Sequence, residues 1–101
     1  MSADRVQVLE KLYEQGQSSD LVDLALEKLF AYELYASEQQ LEQVERDLGE
    51  LEQQYALSSE QFHKQFQAGK LGDAMDFVDW ASLFQMAARL RERIELLKAT
   101  S

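Results

Sequence analysis

The sequence has no cysteine and no proline, and only four of its 101 residues are glycine. Without thiols it can form neither disulfides nor thiolate metal sites, which fits a reducing compartment. It has one histidine, so a zinc site built on several imidazoles is excluded. Basic residues are scarce as well, ten against nineteen acids, and the net charge is −9. Such a surface repels phosphate backbones, so no direct nucleic-acid partner is expected. No apolar run approaches the roughly 20 residues of a membrane span, and MSADRVQVLE lacks the apolar core of a signal peptide. The expectation is a soluble, cytoplasmic protein with no membrane contact.

What is present is helix-forming material. Leu, Glu, Gln and Ala dominate, and their side chains lose little rotamer freedom on a helix. With 46% hydrophobic and 29% charged residues, the chain is ordinary folded material. An all-α fold follows, expected as a single domain over 1–101. The charge is uneven: residues 1–57 hold thirteen acids and four bases, whereas 58–101 hold six of each. The acidic half suits a basic protein partner; a face that only keeps the protein soluble is the plainer reading.

Hydrophobic spacing predicts four helices. The first covers 3–15, with Val6, Leu9 and Tyr13 on one face, Val8 and Leu12 beside them, and Gly16 as its stop. Ser18 or Ser19 caps the second, with Asp20 and Asp23 in the first turn, where the helix dipole favours negative charge. Nothing then stops that helix until Tyr55 or Ala56. Its two halves differ. In 21–36 the apolar residues Leu21, Val22, Leu24, Ala25, Leu26, Leu29, Phe30, Tyr32, Leu34 and Tyr35 cover most of the circumference. In 37–56 they narrow to a seam of Leu41, Val44, Leu48, Leu51 and Tyr55. Gly49 sits mid-helix, where a close approach by another backbone would account for it. Ser58 and Ser59 open a short third helix carrying Phe62 and Phe66 and closed by Gly69. The last helix runs over 74–98, capped by Asp73 or Asp76. Its seam is Trp80, Leu83, Ala87, Leu90, Ile94 and Leu97, widened by Phe77 and Phe84.

A helix over 20–56 would be roughly 55 Å long at 1.5 Å per residue, against a radius of gyration of about 13 Å for a compact domain of this size. The last helix, folding back antiparallel through the third as a corner, covers the distal seam. Residues 21–36, Leu21 and Val22 among them, are left short of partners. A homodimer with 21–36 at its interface, closing a helical bundle, answers that shortage. A break near Ser37 giving a compact monomer is the alternative.

The stretch FQAGKLGDAMDFVDWASLF, 66–84, poses the question of chemistry. Asp76 and Asp79 form a D-x-x-D, and Glu42 and Glu45 an E-x-x-E, the pattern all-α nucleotide pyrophosphatases use on facing helices to hold Mg²⁺. Such pairs are common in Glu-rich helices, and Asp near a helix start is an ordinary dipole residue. Gly69-Lys70-Leu71-Gly72 has the letters of an RNA-clamping G-x-x-G loop, but that loop needs surrounding strands. His63 has no nucleophile or second histidine beside it. Phe77, Trp80 and Phe84 have the spacing of a core seam more than of a base-stacking platform. Arg89, Arg91 and Arg93 could grip an acidic surface, including another chain's 42–52. The stretch reads as a corner between helices, with no catalytic residue, metal or cofactor expected.

Over 58–84 the chain resembles the TumA-like small helical antitoxins, partners of TumE-type toxins. Glu60, Phe62, Phe66, Gly69, Leu71, Gly72, Asp73, Asp76 and Trp80 match their pattern of an acidic-plus-Phe helix, a Gly-x-Leu-Gly-Asp turn and an aromatic helix. Ala74, where another acid is expected, and the lack of a DNA-binding segment are departures. The resemblance implies a non-enzymatic inhibitor that binds and occludes a toxin. Glu42, Glu45, Glu50 and Glu52 are the candidate charged face toward such a basic partner. A structural homodimer without a toxin, and a metal-dependent nucleotide hydrolase, are the alternatives.

Overall fold

The computed structural model describes residues 2–16 and 19–99, with side chains from Arg5 onward. Four helices follow in order: α1 (Ser2–Glu14), α2 (Asp20–Tyr55), α3 (Ser59–Gln67) and α4 (Met75–Ala99). The fold is all-α, and among the described residues there is no strand. No described helix is long and apolar enough to cross a membrane. Helix α2 continues through Ser37 without a break. The contacts group the chain into two compact units, 1–32 and 33–101.

The second unit holds every fully buried side chain among the described residues. Val44 and Leu48 of α2, Phe62 of α3, and Trp80, Ala81, Ala87 and Leu90 of α4 form its core. Leu41, Leu51, Leu83 and Phe84 pack around it. All of these but Phe62 and Ala81 belong to the two predicted seams, and α4 runs antiparallel to α2 as expected. Tyr55 meets Phe77 and Trp80 at one end, with ring centroids 5.4 and 5.7 Å apart. Further along, Arg91 pairs with Glu45 at 3.7 Å, and Arg93 with Glu33. Two of the three arginines expected to reach another chain's acids are therefore engaged within their own.

The corner is built by backbone geometry. At the end of α3, Gly69 takes φ +73°. Its N–H donates to Phe66 O, and the Lys70 N–H donates to Gln65 O. These are the two bonds of a Schellman stop, which needs a left-handed residue after the cap. At the end of α2 that left-handed place falls on Ala56, φ 52°, and the Leu57 N–H donates to Glu52 O at 3.2 Å. Ser58 caps α3, its side chain accepting from the Gln61 N–H. Neither Asp73 nor Asp76 caps α4. Ala74 holds that place, its carbonyl accepting from Phe77 and Val78 N–H, while Asp76 lies in the first turn.

Gly49 also departs from expectation. A Cβ built there would meet nothing within 4 Å, so no backbone among the described residues forces the glycine.

The first unit is α1 with the start of α2. Gly16, φ +68°, ends α1 as predicted. Ser19 caps α2, its Oγ accepting from the Val22 N–H and its carbonyl from the Asp23 N–H; Ser18 lies outside the described residues. The Tyr13 hydroxyl donates to the Asp23 carboxylate. Leu9, Leu12, Val22 and Leu26 are half-buried. The sheltered face of α1 is thus Leu9 with Leu12, while Val6, Val8 and Tyr13 stay exposed.

Candidate functional site

Two surfaces were singled out by the sequence, an acidic face on 42–52 and an apolar one on 21–36. The acidic residues are dispersed. Glu45, Glu52 and Glu60 line one shallow cleft of about 330 Å³, with Arg91 and Phe84 on its other wall. Glu42 and Glu45 line a second, of about 360 Å³, beside Ile94 and Lys98. Glu50 lines neither cleft and is exposed. Glu52 is half-buried and acts within its own chain. Its Oε2 accepts from the Ser59 N–H at 2.8 Å, satisfying one of the unpaired donors at the start of α3. That leaves Glu42 and Glu50 as the candidates with no partner among the hydrogen bonds and ion pairs of the described residues.

Several aromatic residues of 58–84 converge inward. The Trp80 indole is fully buried, and its Nε1–H donates to Ser59 Oγ at 2.8 Å. Phe62, also fully buried, stacks on that ring at 4.0 Å and 3°. Phe66 and Phe77 pack on Phe62 at 5.4 and 5.8 Å. Asp76 accepts from the Tyr55 hydroxyl at 2.6 Å. That hydrogen bond, with partial desolvation and the carboxylate's charge, raises the phenol's pKa. Burial of this order is worth about 1.5–3 kcal/mol per large side chain, so the motif's aromatic residues specify the corner. His63 stacks on Phe84 at 4.5 Å, and its buried Nδ1 makes no hydrogen bond. Among the described residues no three His, Asp or Glu side chains are grouped to hold a metal ion. The D-x-x-D and E-x-x-E pairs of the hydrolase reading do not come together.

The apolar surface is the distinctive feature of the first unit. No described residue of that unit is fully buried. Leu21 is 74% exposed, Tyr32 67%, Leu29 50% and Leu24 48%. In the second unit Tyr35, also on α2, is exposed. At 100° per residue, Leu21, Leu24, Lys28 and Tyr32 fall within about 80° of helix circumference. The half-buried Val22 and Leu26 point to the other side. Scattered exposed leucines are ordinary on protein surfaces; here Leu21, Leu24 and Tyr32 share one side of the helix on a unit whose described residues form no buried core. Periodicity located this stretch as apolar all round; it did not tell which side α1 would take. No family model, curated protein or solved structure matches the chain.

Proposed function

We propose that this chain is a non-catalytic protein-interaction module. It works as a homodimer through the apolar part of α2 and, on the resemblance of 58–84 to TumA-like antitoxins, silences a basic toxin by covering it. The observation that carries the reading is the first unit, which exposes Leu21, Leu24, Leu29 and Tyr32 while burying nothing completely. Burial against another molecule is the direct remedy. Glu42 and Glu50, exposed on α2, supply charge for capture of a basic partner.

Light scattering on the eluting protein tests the self-association: a dimer is expected, and Leu21→Glu with Leu24→Glu should reduce it to a monomer. A wild-type chain that stays monomeric at every accessible concentration refutes it. Co-expression with the product of an adjacent gene tests the antitoxin role, with relief of growth arrest as the expected result. A structural homodimer without a toxin is the second reading. It is favoured by the way Phe62, Phe66, Gly69 and Trp80 are spent on the corner, since a shared fold motif need not carry a shared partner. Unchanged growth arrest in that co-expression selects it.

A further inference from the structure

We infer that α2 is one helix with two stabilities: α1 and the first turns of α2, up to about Tyr32, unfold and refold as an arm while the core of 33–101 stays folded. The inference concerns the single chain and stands whether or not two copies associate.

Size is the first argument. The first unit is 1–32. A unit below about 40 residues rarely stands on its own core and usually needs a disulfide, a metal or a partner. The chain has no cysteine, and among the described residues no group of side chains could hold a metal ion. Helix α1 has 13 residues, a length at which an isolated helix is marginal in water.

Packing is the second. Leu9, Leu12, Val22 and Leu26 are half-buried, and no described residue of the unit is buried further. Apolar stabilisation scales with the area removed from water, so these four contribute less than core residues would. The Tyr13 to Asp23 hydrogen bond is exposed, and water competes for it.

The third is where the core takes hold of α2. Glu33 pairs with Arg93, Ser37 is 4% exposed, the Gln40 amide reaches Met86 Sδ at 4.0 Å, and Leu41 packs on the core. That hold begins at Glu33, the first residue of the second unit. What joins the two stretches of α2 is its backbone ladder. Those bonds are local, so a helix can unwind from its end while the turns beyond it persist. Opening the arm leaves the core contacts in place, and the arm can refold against a partner.

The single tryptophan, Trp80, is buried in the second unit, so its fluorescence reports the core. Far-ultraviolet circular dichroism reports all four helices. Urea unfolding of the full chain is followed by both signals at several protein concentrations. The inference predicts that ellipticity falls ahead of the Trp80 signal, by up to about a third of its amplitude, the share of α1 and 20–32 among the helical residues. An arm already open in water shows that share missing at zero urea with the Trp80 transition intact, which supports the inference equally. Leu26→Ala should move the early loss to lower urea and leave the Trp80 midpoint in place, although both report on the helix that carries residue 26.

Coincident curves with full ellipticity in water at every concentration overturn the inference. So does a Trp80 midpoint that shifts with Leu26→Ala as far as the early loss does. An early loss whose midpoint is independent of protein concentration counts against self-association and leaves this inference standing.

Discussion

The Ser59 hydroxyl accepts one bond in the core, and removing it isolates the indole hydrogen bond. Trp80 is 0% exposed and Ser59 6%, and the bond between them is 2.8 Å long. Ser59→Ala leaves the Ser59 N–H free to keep its bond to Glu52, since that donor is backbone. The change therefore strands only the Trp80 Nε1–H, away from water. An unpaired buried donor costs about 1–3 kcal/mol, against a few tenths gained from alanine's helix propensity. A net loss of about 0.5–2.5 kcal/mol follows. In a unit the size of 33–101 this lowers the melting temperature by roughly 2–20 °C. Urea unfolding followed by far-ultraviolet circular dichroism measures it without relying on the single tryptophan. The control is a double-mutant cycle with Trp80→Phe, which has no N–H to strand; there, Ser59→Ala should cost under about 0.5 kcal/mol. An equal cost in both backgrounds, or none in the wild type, refutes the assignment.

Three further outcomes are expected. Gly49→Ala should stabilise the protein by about 0.5–1 kcal/mol in urea unfolding, because a Cβ there meets nothing within 4 Å; destabilisation would mean that another molecule's backbone lies on that position. Ala56→Gly should stabilise by about 0.5–1 kcal/mol, since it relieves a left-handed residue at φ 52°; a loss would contradict the helix stop drawn at α2. The raised Tyr55 pKa makes its hydroxyl's contribution complete below the unfolded value of about 10 and lost as pH rises through the folded value. Tyr55→Phe should therefore flatten the alkaline decline in melting temperature, and an unchanged decline would count against the Tyr55–Asp76 bond.

The helices and seams were legible in the sequence because helical spacing survives packing. Val44, Leu48, Trp80, Ala87, Leu90 and Ile94 are buried where their periodicity placed them. The glycine stops at 16 and 69 were legible for a backbone reason, since both require positive φ. Other features depend on which surfaces meet, which spacing does not encode. Ala56 in a left-handed stop and Ala74 in place of an acidic cap are set by the angles of the corner. The pairing of Arg91 with Glu45 and Arg93 with Glu33 needed the register of α4 on α2. Leu9 and Leu12, not Val6 and Tyr13, are the sheltered residues of α1, and that choice left the Leu21–Tyr32 stripe uncovered. Charge alone marks Glu42, Glu45, Glu50 and Glu52 alike and carries no sign that Glu52 binds the start of α3.

The central claim is that the first unit takes its stability from a second molecule. Amide hydrogen exchange across a dilution series measures this directly, because protection reports the free energy of local opening. The account predicts that protection in 5–32 falls as the protein is diluted, while the core around Val44, Phe62, Trp80 and Leu90 keeps its protection throughout. Protection in 5–32 that is high and independent of concentration would contradict it, since the unit would then be stable alone with its leucines in water.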